Sequence, residues 1–212
     1  MIVIVDYGLG NLGSVKKAIN RVGYDCLVAN NPDEIKSADK LILPGVGNFK
    51  VGIENLKSKN LVKILEEEVL EKKKPILGIC LGMQLMTSSS EEGHCEGLNW
   101  VGGFTQRFPD SDNLKIPHMG WNTLRFENHH TIYNEISEQD FFYFVHSYYV
   151  TGVEPKYKIS ETEYGLGFVS SFAKENIIGC QFHPEKSHDA GLKLLRNFCA
   201  AQDFKGMKNV HT

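Results

Sequence analysis

Pro75-Ile76-Leu77-Gly78-Ile79-Cys80-Leu81-Gly82-Met83-Gln84-Leu85-Met86 is the stretch on which the reading of this chain turns. The apolar run Ile76 to Ile79 follows a proline and the charged segment Glu71-Lys72-Lys73-Lys74, and reads as a short buried strand. Cys80 then stands between Gly78 and Gly82, and a helical pattern begins at once. Glycines on both sides of a reactive residue, at a switch from strand to helix, are what a nucleophile elbow requires. The turn is tight enough that only hydrogen fits beside the backbone, and the side chain is pushed out above the sheet. The N–H groups and partial positive charge of the following helix favour a thiolate there. A cysteine without such a frame is most often a small buried hydrophobe.

Outward from the elbow, strands alternate with helices. Ile2 to Val5 is an apolar run ending at Asp6, followed by the loop Gly8-Leu9-Gly10-Asn11. Ser14 to Val22 reads as a helix with Val15, Ala18, Ile19 and Val22 on one face. Tyr24 to Ala29 and Lys40 to Leu43 read as strands, the second running into Pro44-Gly45-Val46-Gly47. Helical patterns fill Asn48 to Lys59 and Leu61 to Lys73. This order predicts an α/β fold with a doubly wound, mostly parallel, flavodoxin-like sheet. Ligands of such sheets bind beyond the carboxyl ends of the strands, where all three glycine-rich loops fall.

The second half is strand-rich: Gly103 to Phe108, Thr123 to Phe126, Phe141 to Val150, Lys156 to Thr162, Gly167 to Ala173 and Ile177 to Phe182. The turn Lys174-Glu175-Asn176 predicts an antiparallel extension. A closing helix is expected over Asp189 to Gln202, with Leu192, Leu195 and Phe198 inward. No repeat or linker divides the chain, so one domain is expected over 1–204, with a frayed tail over 205–212.

Composition narrows the function. The chain has 212 residues, 42% hydrophobic and 23% charged, which suits a globular domain with a sizeable core. A net charge of −3 argues against a nucleic-acid partner, and no stretch approaches a membrane span. The opening Met1-Ile2-Val3-Ile4-Val5-Asp6 reads as a strand, not a signal peptide. Five widely spaced cysteines without a C-x-x-C pair fit a reducing cytoplasm better than a disulfide framework. The eight histidines have no ligand spacing, so neither a metal nor another cofactor is expected.

Gln181-Phe182-His183-Pro184-Glu185-Lys186 ends the last strand. His183 and Glu185 flank a proline on a stiff, extended segment. A cysteine nucleophile needs an imidazole to hold its proton and later give it to the leaving group. The imidazole needs an acceptor on its other nitrogen to fix tautomer and orientation. Cys80, His183 and Glu185 supply those three roles. Alone, His183 reads equally well as a structural histidine and Glu185 as a helix-start carboxylate; the elbow makes the combination informative.

Gly78-Ile79-Cys80-Leu81-Gly82-Met83-Gln84 together with His183-Pro184-Glu185 resembles the class I (triad) glutamine amidotransferases. Further runs resemble the glutaminase subunits of imidazole glycerol phosphate synthases: Asp6-Tyr7-Gly8-Leu9-Gly10-Asn11-Leu12, Pro44-Gly45-Val46-Gly47-Asn48-Phe49, Ser90-Glu91-Glu92-Gly93, Pro117-His118-Met119-Gly120-Trp121-Asn122 and Tyr143-Phe144-Val145-His146-Ser147-Tyr148. The resemblance implies that Cys80 attacks the glutamine amide, His183 protonates the departing ammonia and Glu185 orients His183. It implies an oxyanion hole from the N–H of Leu81 and one from Val46 or Gly47, in a loop that reorients when the partner is loaded. Gly45, Gln84, Ser147 and Tyr148 match substrate-binding positions. The implied partner is a (β/α)8-barrel cyclase subunit in a heterodimer, receiving ammonia to make imidazole glycerol phosphate and AICAR in histidine biosynthesis. By the same resemblance Asn11, Trp121, Tyr143 and Lys186 face that partner.

Two stretches depart from the family pattern: His188-Asp189-Ala190-Gly191 before the last helix, and Asn48-Phe49-Lys50-Val51-Gly52-Ile53 after the oxyanion loop. They leave open a paralogous role, supplying ammonia to an acetamidino-sugar amidotransferase of bacterial surface glycans. Two readings from other classes also stand at this stage. One is a peptidase or deglycase with an elbow cysteine; the other is a non-catalytic phosphate or flavin module built on the Gly8-Leu9-Gly10-Asn11 loop.

Overall fold

The computed structural model describes residues 1–110 and 114–201. Its centre is a parallel sheet of five strands: β1 (Ile2–Val5), β2 (Cys26–Ala29), β3 (Lys40–Gly45), β4 (Ile76–Cys80) and, from the far end of the chain, Ile177–Cys180. The spatial order is β2-β1-β3-β4 and then the C-terminal strand, the flavodoxin-like order. The sheet is doubly wound because the strands are apolar on both faces. Ile2, Ile4, Ile42, Leu77 and Ile79 face one core with Val15, Ile19 and Leu195. Val3, Val5, Leu41, Leu43 and Ile76 face the other with Ile35, Phe49, Ile53 and Leu61. Period-two alternation thus buries every residue of β1, β4 and the C-terminal strand, as a two-sided parallel sheet demands, while the edge strand β2 is half-buried up to Val28.

The helices are α1 (Leu12–Arg21), α2 (Pro32–Ser37), α3 (Phe49–Ser58), α4 (Leu61–Glu66), α5 (Leu81–Leu85) and α6 (His188–Ala200). Asn11, Asn31 and Asn48 cap α1, α2 and α3, each accepting an N–H of the first turn. The helix expected over Leu61 to Lys73 changes after Glu66 into a π-helical turn, Glu67–Glu71. In that turn the buried Glu68 pairs with Lys72 and Lys74, each at 2.7 Å. In α6 the inward residues are Leu194, Leu195 and Phe198, while Leu192 is only partly covered. Gln202 and the expected tail lie outside the described residues.

The second half adds β5 (Phe104–Arg107), β6 (His118–Asn122), β7 (Phe142–His146), β8 (Tyr148–Thr151), β9 (Lys158–Glu163), β10 (Gly167–Lys174) and β11, the Ile177–Cys180 strand. β10 and β11 form the expected hairpin, with Glu175 in the turn at φ 54°. β10 also pairs antiparallel with β8 and β9, which extends the sheet. Two expectations fail here. The single strand expected over Phe141 to Val150 breaks at Ser147: β7 leaves the main sheet to pair with β6, and β8 stays in it. β6 itself was not expected, since a glycine interrupts a run with no β-branched residue. The strand expected over Thr123 to Phe126 shrinks to Arg125–Phe126.

Candidate active site

Cys80 is the last residue of β4, at φ 53° and ψ −109°, a region side-chain-bearing residues rarely enter. The flanking glycines are steric necessities. A Cβ on Gly82 would lie 1.7 Å from the Leu43 carbonyl oxygen, and one on Gly78 would lie 2.8 Å from the backbone N of Met83. The elbow therefore packs backbone against backbone between β3 and β4. The helix behind it is short. α5 ends at Leu85, Thr87 Oγ1 donates to the Gln84 carbonyl at 2.8 Å, and little macrodipole remains. What α5 offers an anion is the free N–H groups of one turn.

β11 runs parallel to β4, with Cys180 opposite Ile79, so the segment after β11 emerges beside the elbow. His183 and Glu185 come together there: Nδ1 to Oε1 is 2.8 Å, with both side chains 2% exposed. The loop is held by Ser187, whose Oγ donates to the His183 carbonyl at 2.6 Å and accepts the Tyr143 N–H at 2.9 Å. His183 Nε2 is buried and outside hydrogen-bond geometry. Burial opposes a charge on His183. The Cys80 sulfur and the Glu185 carboxylate outweigh it, and the imidazole pKa is raised to about 10. Cys180, by contrast, is wholly buried, and desolvation pushes its thiol well up.

A pocket of about 300 Å³ opens over the cysteine, with Val46, Gly47, Leu81, Gln84, Ser147 and Tyr148 among its lining residues. Gly45 does not line it. It lies beneath, opposite Cys80 in the β3–β4 ladder, where a Cβ would meet the Tyr7 hydroxyl at 2.1 Å. Its part is to let the loop pass over Tyr7. Glu92 also lines the pocket, unassigned by the sequence reading although its run was singled out. Its Oε2 accepts the Phe49 N–H at 2.7 Å, and desolvation raises its pKa. The signal was an acid next to a glycine in a turn; nothing local said that the turn folds back over Cys80.

Behind the pocket Gln84 is buried, its Nε2 donating to the Tyr148 carbonyl and to Gln181 Oε1, both at 2.9 Å. His146 Nδ1 lies 2.8 Å from the same carbonyl, and His146 Nε2 lies 3.0 Å from His118 Nδ1. A carbonyl only accepts, so His146 carries its proton on Nδ1 and accepts a hydrogen bond at Nε2 from His118 Nδ1–H. Burial keeps both neutral, with pKa values lowered to about 3 for His146 and about 4 for His118.

Three of the four residues expected at a partner face cluster beside the site. Trp121, 45% exposed, lies edge-on to Tyr143, and the Lys186 ammonium sits 5.7 Å from the Tyr143 ring centroid. Trp121 also stacks on His188 at 4.8 Å, one of the residues that depart from the family pattern. Asn11 is spent as the α1 cap. It is exposed, one turn before Ser14, which shares a groove with Lys186 and His188.

The model of the class-I glutamine amidotransferase family matches residues 3–201. The chain is 50% identical over 198 residues to imidazole glycerol phosphate synthase subunit HisH 2 of Methanococcus maripaludis, covering 93% of this chain and 98% of that one. It is 48% identical over 199 residues to subunit HisH 1 of Campylobacter jejuni, with the same coverage of each. A solved glutamine amidotransferase superposes with a TM-score of 0.72 at 15% identity, over 94% of this chain and 100% of the other, which shows the shared fold. The chain belongs to the class-I glutamine amidotransferases and, within them, to the HisH subunits of imidazole glycerol phosphate synthase.

Proposed function

We propose that this chain is the glutaminase of a two-subunit synthase, hydrolysing glutamine to glutamate and passing ammonia to a barrel cyclase for imidazole glycerol phosphate and AICAR formation in histidine biosynthesis. The observation that carries it is the Cys80 elbow beside a buried His183–Glu185 pair, at the ends of adjacent parallel strands and under a pocket of amino-acid size. Cys80 Sγ adds to the side-chain amide carbon of glutamine. The resulting oxyanion is held by the N–H of Leu81 and one from Val46 or Gly47, donors aimed where charge develops. His183, protonated beside the thiolate, gives its proton to the departing nitrogen, and ammonia leaves a glutamyl thioester. Neutral His183 then takes a proton from water, hydroxide opens the thioester, and glutamate departs. Glu185 accepts from Nδ1 and keeps Nε2 toward the sulfur throughout.

Gln84, Ser147 and Tyr148 hold the substrate, and the Glu92 carboxylate suits its α-ammonium. No cofactor or metal enters this chemistry. The partner docks over Trp121, Tyr143 and Lys186, where Met119 and Phe141 add exposed apolar surface. Among the described residues no helix is long and apolar enough to cross a membrane, and all five cysteines are free thiols, in keeping with a cytoplasmic subunit.

One observation favours a second pathway: the names of the two relatives above carry copy numbers, 2 and 1. A duplicated glutaminase is free to serve an acetamidino-sugar amidotransferase, and the same experiment separates the two. Glutamate release is measured with the chain alone, with a histidine-pathway cyclase and its nucleotide substrate, and with a surface-sugar partner, using Cys80→Ser as control. Release that needs the histidine cyclase and vanishes in Cys80→Ser is the expected result. Release only with the sugar partner moves the pathway, and thiol-independent release overturns the mechanism.

A further inference from the structure

Gln181 stands two residues before His183, at the end of β11, with no exposed surface. Nothing in the mechanism above uses it. Its Nε2 lies 3.6 Å from Cys80 Sγ, within the range of an N–H···S contact, and its Oε1 takes the 2.9 Å bond from Gln84. Amide nitrogen and oxygen are easily interchanged, so the orientation has to be argued. The Tyr148 carbonyl can only accept, and Gln84 must therefore turn its Nε2 toward it. That same Nε2 faces Gln181, which must present Oε1 in return. Nε2 of Gln181 is then left pointing at the sulfur. Reversing Gln84 sets acceptor against acceptor, and reversing Gln181 sets donor against donor, in a buried site where an unmade bond is costly.

A second polar contact of the sulfur, besides the imidazole of His183, is the Val145 carbonyl oxygen at 4.0 Å. Val145 therefore accepts and Gln181 donates. A thiol can satisfy the first; a thiolate is repelled by it and gains from the second. We propose that Gln181 is a further member of the catalytic apparatus: its carboxamide, locked by Gln84 and the Tyr148 carbonyl, holds the Cys80 side chain and donates to the thiolate. The inference rests on Cys80 being the nucleophile. It also gives Gln84 a second task, since the residue that lines the pocket also sets the orientation of the amide on the sulfur.

The test uses the full chain and reads Cys80 itself, by the pH dependence of its alkylation with iodoacetamide, followed on the Cys80 peptide so that the other four thiols do not interfere. Gln181→Met removes the donor at nearly constant shape; Gln181→Glu keeps the acceptor for Gln84 and sets a second acceptor against the sulfur. In both, the alkylation midpoint is expected to rise by about one to two pH units, the worth of one charge-assisted hydrogen bond. With partner present, kcat should fall about 10- to 100-fold at a nearly unchanged KM, the signature of an interaction made to the reacting atom. In the unsubstituted chain the Gln181 side-chain amide resonances should shift with the same midpoint, a readout that needs no variant to fold. Superimposable alkylation profiles, or amide resonances that ignore the thiol titration, overturn the assignment. Wild-type glutamine turnover that is lost in Cys80→Ser shows in parallel that the underlying reading stands, so the two failures are told apart.

Discussion

At the scale of single residues, the site works by placing a few groups where ordinary backbone could not. Cys80 occupies a strained φ because Gly78 and Gly82 give up their side chains to it. This much was legible in the sequence, since a glycine requirement is local and leaves a local mark. Glu92 and Gln181 were not legible, because an acid in a turn and an amide at a strand end acquire a role only from what folds against them. The electrostatics of His183 lead to a testable consequence. The Cys80 sulfur and Glu185 outweigh burial and raise its pKa to about 10, so the proton for the leaving ammonia is retained until the pH passes that value. Activity should therefore fall on the alkaline side with a midpoint near about 10, a property of the coupled thiol–imidazole pair. Glu185→Gln removes a contribution that raises the pKa and should move that midpoint down. It should also lower kcat about 100- to 10,000-fold, as loss of an orienting carboxylate does. A pH–rate profile of the two proteins checks both.

At the scale of elements, the break between β7 and β8 does most to shape the pocket. One extended run serves two sheets, and the junction at Ser147 delivers His146, Ser147 and Tyr148 to the pocket wall. Hydrophobic alternation cannot reveal such a break, because it reports which face is buried and not which strand is the neighbour. The histidines behind the junction are held neutral by burial. His146 binds its proton near pH 3 when folded but near 6.5 in a free chain, so the unfolded state gains protons first as the pH falls. Its contribution to stability is complete above about pH 6.5 and is progressively lost below that value. Between pH 6 and pH 5, urea unfolding of His146→Gln should show a dependence on pH shallower than the parent's by about 1 kcal/mol per pH unit. An unchanged slope would mean that His146 is already charged in the folded protein.

At the scale of the whole molecule, the carboxyl ends of β3, β4 and β11 gather the chemistry, and one flank carries a cluster of exposed large side chains. Met119, Trp121 and Phe141 are all more than 40% exposed on that flank, with Lys186 and His188 beside them. Three large exposed side chains close to the buried His183–Glu185 pair are uncommon on a surface with nothing to meet. Trp121→Ala should weaken partner binding about 10- to 100-fold, the usual penalty for truncating an interface tryptophan, while partner-independent alkylation of Cys80 stays as in the parent. Titration of the labelled partner into each chain measures the first.

By itself the sequence determined the class of fold and the tight turn at Cys80, and it singled out His183 and Glu185, which meet beside that turn. Burial on both sheet faces, turns that only glycine permits and a proline-stiffened strand end are each written within a few neighbouring positions. The tertiary structure alone decided which strands lie side by side. β11 is placed against β4 across about a hundred residues of chain, and that placement sets His183, Glu185 and Gln181 beside Cys80. It also decided that Trp121 is exposed, that Gln84 is buried and that Gly45 supports the loop without lining the pocket. Local preference limits the conformation of each segment, but pairing between distant segments is settled by the packing of the whole core, which no short stretch encodes.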